Sequence, residues 1–148
     1  MTDLIVLAHA PLASALKVVA LHAFPDCAAT LHGVDVQPTE SPEEIERRLR
    51  DVIGGGEALV LCDVFGATPC NAALRVADGV RVRVVSGVSV PMIWRVLCYG
   101  AEPLERLVTR AVDGAVQGAM QINVTRPQNQ FVQVGPHPHD QVPNHHQQ

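Results

Sequence analysis

The stretch "LVLCDVFGATPCNAA", residues 59–73, decides the fold of this chain. It begins as a continuous apolar run of strand length and then passes through a short turn that contains Gly66. Thr68 and Pro69 are typical of a helix start, with the threonine as N-cap and the proline at the first helical position. A strand without polar alternation belongs inside a parallel sheet whose two faces are covered by helices. The stretch therefore predicts one strand–turn–helix unit of an α/β protein.

Strands and helices take turns over the rest of the chain as well. The pattern predicts strands at residues 3–8, 29–36, 57–62 and 80–86, and helices at residues 10–24, between Ser41 and Gly54, and at residues 68–77, 90–99 and 103–117. Because right-handed crossovers join such strands, we predict a doubly wound, mainly parallel sheet in the order 2-1-3-4, with helices on both faces. A short apolar piece, residues 118–124, follows the last helix.

Length and composition set the domain organisation. A chain of 148 residues that is 47% hydrophobic has room for one sizeable core, so we expect a single domain at residues 1–124. Pro, Gln, Asn and His then replace the core residues, and residues 125–148 are predicted to be a disordered tail. The four histidines in this tail have no regular spacing, which argues against a metal site there.

Charge and cysteine content exclude several classes of protein. The net charge of −4 comes without a basic stripe, which argues against a nucleic-acid partner. The four cysteines form no CxxC pair, and the apolar runs are strand-sized rather than long enough for a signal peptide or a membrane span. We therefore expect a cytoplasmic protein without a metal, another cofactor or a membrane insertion.

Two polar residues stand where two of the predicted strands end. His9 ends the first strand, and Asp63 follows the third. In the order 2-1-3-4 the winding reverses between these two strands, and open sheets of this kind bind ligands outside the carboxyl ends of the strands at that point. The topology therefore predicts that the imidazole and the carboxylate are neighbours in a crevice.

The chemistry of such a pair follows from the residue types. A carboxylate that holds Nδ1–H of an imidazole fixes the direction of the Nε2 lone pair and stabilises the ring when it becomes cationic. Gly66 allows the backbone to approach a ligand, and the amides at the start of the helix near Thr68, and of the helix near Pro11, would point at the crevice as an anion site. Histidine, aspartate and anion site together indicate phosphoryl transfer through histidine.

The same residues carry a resemblance to a known family. "VLCDVFGATPCNAA", residues 60–73, "VVSGVSVPMIWRVL", residues 84–97, and His9 resemble the IIA component of the mannose class of the bacterial phosphoenolpyruvate-dependent sugar phosphotransferase system. The resemblance covers residues 3–124. It implies that His9 accepts a phosphoryl group from the phosphocarrier HPr and passes it to a IIB component for sugar uptake. Asp63 would then orient His9.

The resemblance also implies a phosphate site and an assembly. Gly66, Ala67 and Thr68 would contact the phosphoryl group, and residues 118–124 would form an antiparallel strand exchanged between the subunits of a homodimer. The family commonly has Thr-His-Gly where this chain has Ala8-His9-Ala10, and it has Asn at the position of Ser89. These departures bear on phosphate contact and on the transfer rate.

Two other functions do not fit the sequence, and a third stays open. A receiver domain phosphorylated on Asp63 needs acidic residues after the first strand to hold Mg²⁺, and Ala8 and Ala10 stand there instead. A dinucleotide enzyme needs a glycine-rich turn that opens the first helix, whereas Gly54 closes the second. A regulatory protein of the same fold, which reports its phosphorylation state to a non-transport partner, stays open as the alternative.

Overall fold

Helices and strands alternate along residues 1–125, the part of the chain that the computed structural model describes. The elements in chain order are β1 (Asp3–His9), α1 (Leu12–Ala23), α2 (Pro25–Ala28), β2 (His32–Val36), α3 (Pro42–Ile53), β3 (Ala58–Cys62), α4 (Thr68–Val76), β4 (Val82–Ser86), α5 (Val90–Cys98) and α6 (Leu104–Gly118). No helix in this part of the chain is both long and apolar enough to cross a membrane. The predicted tail lies almost wholly outside the described residues.

The four strands form one parallel sheet in the order β2-β1-β3-β4, which confirms the predicted topology. Side chains of β1 point alternately to its two faces: Val6 lies in the core against α1, α5 and α6, and Leu7 lies in the core against α3 and α4. Both side chains are fully buried. Helices therefore cover both faces, as the apolar strands require.

The α3 helix shows how local sequence fixes an element. Ser41 Oγ accepts a hydrogen bond from the Glu44 amide at 3.2 Å, and Glu44 Oε2 accepts one from the Ser41 amide at 2.8 Å, which completes a capping box. The buried face of the helix consists of Ile45, Leu49 and Ile53. Burial of each of these side chains stabilises the fold by roughly 1.5–3 kcal/mol.

Several predicted boundaries differ from those in the structure. The helix expected at residues 10–24 ends at Ala23, and Pro25 then begins the separate short helix α2, because proline is well suited to a first helical position. β2 begins at His32 rather than at residue 29, since α2 and its turn occupy the intervening residues. Ala67, not Thr68, is the N-cap of α4, so Thr68 is its first helical residue.

The predicted C-terminal strand is not formed within the single chain. Gly118 is the last residue of α6, and residues 119–125 belong to neither helix nor strand. Met120, Ile122 and Val124 alternate with smaller or polar residues and are 71%, 83% and 88% exposed. The exchange of this segment in a dimer stays a prediction.

Helices α5 and α6 pack with little space between them. A Cβ atom added to the buried Gly114 would lie 2.9 Å from Arg95 Cβ and 3.1 Å from the carbonyl oxygen of Pro91. Real Cβ atoms rarely approach a backbone this closely. The absence of a side chain at Gly114 is therefore what allows the two helices to approach one another.

The outer edge of β2 is partly covered by a side chain. Val36 O accepts a hydrogen bond from the Ala10 amide, so the next carbonyl along β2, that of Asp35, faces the outer edge. Arg48 Nη1 donates to Asp35 O at 3.1 Å and also pairs with Glu40. A cationic side chain therefore covers part of the outer edge of β2.

Candidate functional site

The structure brings His9 and Asp63 together at the carboxyl edge of the sheet. His9 is the last residue of β1, and the pairing of Leu7 with Cys62 puts the residue after β3 beside it. His9 Nδ1 lies 2.6 Å from Asp63 Oδ2. The two side chains are therefore close, as predicted, because the parallel register puts the ends of β1 and β3 side by side.

The Asp63 carboxylate is held by more than the histidine ring. Its Oδ2 also accepts a hydrogen bond from the His9 backbone amide at 3.0 Å, and its Oδ1 accepts one from the Val64 amide at 2.9 Å. Burial by itself would raise the pKa of Asp63, but the hydrogen bonds from the His9 ring and from these two amides outweigh it and hold the pKa below its ordinary value of 3.8. The carboxylate is therefore ionised at neutral pH.

The orientation of the His9 ring follows from this carboxylate. An ionised carboxylate offers only acceptors, so the ring nitrogen 2.6 Å away carries the proton. In the neutral ring, the lone pair is then on Nε2. The His9 side chain is 54% exposed while that of Asp63 is 11% exposed, so the partner is buried and the ring reaches outward. The pair presents a nucleophilic nitrogen at the surface.

The start of α4 is open to an anion. Its N-cap, Ala67, has no side chain that could bond the first-turn amides, and Pro69 contributes no N–H. Gly66 has a φ of 89°, a conformation that favours glycine, and its carbonyl oxygen accepts a hydrogen bond from Asn71 Nδ2 at 3.3 Å. Asn71, to which the sequence reasoning gave no role, therefore holds the turn that carries Gly66, Ala67 and Thr68.

The start of α1 is different, and here the expectation of a second anion-binding helix needs correction. Asp35 Oδ1 accepts a hydrogen bond from the Ser14 amide at 3.1 Å, and Asp35 Oδ2 accepts one from Ser14 Oγ. A carboxylate of the protein thus already occupies part of the first turn of α1. Of the two predicted helix starts, α4 is the one left without a side-chain acceptor.

The loop from β4 to α5 lies next to the end of β3. Ser89 is the N-cap of α5, and its Oγ accepts a hydrogen bond from the Met92 amide at 3.3 Å. The Val88 amide donates to Cys62 O at 2.9 Å, which ties the loop to the end of β3. Ser89 therefore has a structural task as the N-cap of α5, and asparagine is an equally good N-cap residue.

The two cysteines near this edge are not placed as nucleophiles. Cys62 and Cys70 are buried, and burial, followed by the influence of Cys70, raises the pKa of the Cys62 thiol. A thiol of raised pKa is a poor nucleophile. Within residues 1–125 no group of three His, Cys, Asp or Glu side chains is arranged to hold a metal ion.

The site is an open surface. The His9 side chain is 54% exposed to solvent. A small-molecule site normally encloses most of its ligand. The exposed His9 ring is not enclosed in this way.

Comparison with known proteins gives one family and several solved structures of the same fold. Residues 3–110 match the family described as the PTS system fructose IIA component. The mannose/sorbose-specific IIA subunit of Enterococcus faecalis is 20% identical, with a TM-score of 0.78 over 85% of this chain and 98% of that one. The phosphotransferase system component EIIA of Streptococcus agalactiae is also 20% identical, with a TM-score of 0.73 over 82% and 97%. No curated protein sequence matches the chain.

Proposed function

The chain belongs to the family of IIA components of the sugar phosphotransferase system, and from this membership we propose that it is a phosphocarrier. In this proposal, His9 accepts a phosphoryl group from phospho-HPr and passes it to a IIB component. The observation that carries it is the 2.6 Å contact of His9 Nδ1 with Asp63, which leaves Nε2 as the exposed nucleophile.

The proposed step is a displacement at phosphorus. His9 Nε2 forms a bond to the phosphorus atom as the bond from phosphorus to the donor histidine nitrogen breaks, and the donor ring keeps the electron pair of that bond. The Nδ1 proton of His9 stays in its hydrogen bond to Asp63, so the phosphorylated ring is cationic next to a carboxylate. Asp63 therefore stabilises the product ring as well as orienting the acceptor.

The start of α4 supplies the electrostatic part of the proposal. A phosphoryl group on Nε2 carries negative charge, and helix N-termini favour anions through their free amides and their dipole. Gly66, Ala67 and the exposed Thr68 would contact its oxygens. Transfer between two histidines exchanges one N–P bond for another, and we propose that no metal ion takes part.

Partners, assembly and location belong to the same proposal. Besides HPr and IIB, we expect a homodimer in which residues 118–124 pair with the sheet of the other subunit. The alternating, exposed side chains of Met120, Ile122 and Val124 support it, because they need an apolar partner. The free cysteines of the described residues fit a reducing cytoplasm.

The direct test is phosphorylation in a defined mixture. The chain would be incubated with labelled phosphoenolpyruvate, enzyme I and HPr, and the modified residue mapped. We expect label on His9 that is lost in acid and kept in base, and none in a His9→Ala variant. A His22→Ala variant, which removes another exposed histidine, is the matched control and should label normally.

The same mixture separates transport from regulation. Addition of a IIB protein should remove the label from His9. Label that forms on His9 but is passed to no IIB protein would favour the regulatory alternative. Undiminished labelling of His9→Ala would refute the site itself.

A further inference from the structure

Aromatic side chains are scarce in this chain, yet most of them lie together on the outer side of α5. The sequence contains three Phe, one Trp and one Tyr. Three of these five rings line one open groove. The groove has a volume of about 600 Å³ and is lined by Phe24, Pro91, Trp94, Arg95, Cys98 and Tyr99. We call these six residues the aromatic groove.

The rings of the aromatic groove are held in place by their neighbours. The rings of Phe24 and Trp94 meet edge to face, with centroids 5.9 Å apart. The guanidinium carbon of Arg110 lies 3.7 Å from the centroid of the Tyr99 ring, and Arg110 Nη2 donates to Glu102 Oε1 at 2.8 Å. Trp94 and Tyr99 are nevertheless 41% and 40% exposed. Because these rings are already fixed, a ligand that covers them orders few side chains of the groove.

The chemistry of the groove indicates what it can bind. Among its six residues only Arg95 is charged, and Arg95 Nη2 donates to Gln117 Oε1 at 2.9 Å. An occupant therefore needs apolar side chains rather than charges. Grooves lined by aromatic residues bind proline-rich segments, because such segments are extended before they bind and lose little conformational entropy.

The C-terminal part of this chain has that composition. Residues 126–148 lie outside the described part, and their sequence contains four prolines. The stretch "FVQVGPHP", residues 131–138, includes Phe131, two valines and two of these prolines, and it contains no Lys, Arg, Asp or Glu. We call residues 131–138 the docking segment.

The chain leaves α6 at one end of the groove. A Cβ atom added to Gly118, the last residue of α6, would lie 2.5 Å from Pro91 Cβ, so these two residues are in contact. The chain from Gly118 to Phe131 spans up to about 40 Å when extended. The α5 helix has 9 residues and is only about 14 Å long. The docking segment can therefore reach any part of the groove, and the tether keeps its effective concentration high enough for a weak contact to form.

We propose that the aromatic groove is the docking surface for residues 131–138 of this same chain, with the prolines of the segment against the rings of Trp94 and Tyr99. This docking does not depend on the phosphocarrier function. It is compatible with the proposed exchange of residues 118–124, because an exchanged strand would bring the docking segment to the groove of the subunit that receives the strand. The contacts would then be the same.

The test uses the fluorescence of the full-length chain. Trp94 is the sole tryptophan of the sequence, so its emission and its quenching by acrylamide report on the groove. The test variants are Phe131→Ser and the double variant Pro136→Ser/Pro138→Ser. Both change the docking segment and leave the residues of the groove intact.

A matched control removes the same number of prolines outside the docking segment. It is the double variant Pro127→Ser/Pro143→Ser. Light scattering gives the mass of each protein, and quenching in urea shows whether the unfolded chains differ by themselves.

We expect both test variants to raise the acrylamide quenching constant of Trp94 by about 1.5-fold or more and to shift its emission to longer wavelength, because the ring loses its cover. The control should behave as the wild type. The four proteins should have the same mass, and in urea they should be quenched equally.

Three results would overturn the docking. Equal quenching of the wild type and both test variants means that the segment does not cover Trp94. An equal rise in the control shows that the effect is not specific to residues 131–138. A fall in mass that accompanies the rise in quenching assigns the cover to a second copy of the chain. Phosphorylation of His9 should be unchanged in all variants, so these results leave the phosphocarrier function untouched.

Discussion

Replacement of Asp63 by asparagine removes the charge beside His9 with almost no change in volume. One oxygen of the carboxylate accepts from the His9 ring and amide, and the other accepts from the Val64 amide. The asparagine has one oxygen, so its NH₂ group must face a donor on one side or the other. If it faces the ring, it favours the tautomer whose proton is on Nε2, which cannot accept a phosphoryl group.

The size of the effect follows from these contacts. Hydrogen bonds to a charged group contribute about 1.5–3 kcal/mol and neutral ones about 0.5–1.5 kcal/mol, so Asp63→Asn should lower the free energy of unfolding by about 1–2 kcal/mol. The corresponding change in a hydrolase triad slows the reaction about 10⁴-fold. Phosphoryl transfer depends less on proton removal, and we therefore expect a loss of roughly 10- to 1,000-fold.

The assay needs a control that separates rate from stability. Asp78 precedes β4, at the end of the strands opposite to His9. Its Oδ1 accepts hydrogen bonds from the amides of Val80, Arg81 and Val82 at 2.7–2.9 Å. Asp78→Asn should lower stability without slowing transfer. Single-turnover transfer from labelled phospho-HPr, measured by rapid quench, and urea unfolding would be compared for both variants. Wild-type transfer rates in a folded Asp63→Asn protein would refute the orienting role, as would equal slowing by Asp78→Asn.

Three further predictions concern stability and assembly. Gly114→Ala should lower the free energy of unfolding by about 1–2 kcal/mol. The steric clash of the new Cβ with Arg95 outweighs the gain of up to about 1 kcal/mol in helix propensity. A raised Tm would contradict this prediction. Since the pKa of Asp63 is lowered in the folded state, its stabilisation is complete above its ordinary pKa of 3.8 and is lost as the pH falls through the folded value. The free energy of unfolding, measured in urea from neutral pH to about pH 3, should therefore fall less steeply for Asp63→Asn than for the wild type. Parallel curves for the two proteins would exclude this linkage. Deletion of residues 126–148 should keep a dimer and deletion of residues 119–148 should give a monomer, and light scattering that finds equal masses would oppose strand exchange.

The strands could be predicted because each is specified by features that are local in sequence, and general rules of chain topology then restrict their order. Each strand is a short apolar run followed by a helix, and parallel crossovers leave few possible orders. The capping box of Ser41 and Glu44 is likewise contained in four consecutive residues. The proximity of His9 to Asp63 followed from strand order alone, although the two residues are 54 positions apart.

The features that the sequence did not predict depend on contacts between distant segments, on alternative roles of one residue, or on the path of a turn. The bond from Ser14 to Asp35 forms because β2 and the start of α1 lie side by side, and no local pattern indicates it. Pro25 ends one helix in the prediction but begins another in the structure, and both are ordinary uses of proline. The exposure of Phe65 depends on the path of a turn, which composition does not determine.

The Arg48 side chain at the outer edge of β2 limits how copies of this chain can join. A contact between the β2 edge of one copy and the β4 edge of the next would be heterologous and could repeat into a filament. Arg48, bonded to the outward carbonyl of Asp35, opposes that contact at every copy. A contact of β4 with its own equivalent is isologous and closes after two subunits. The Arg48 side chain at the outer edge of β2 thus disfavours open-ended association of copies through that edge.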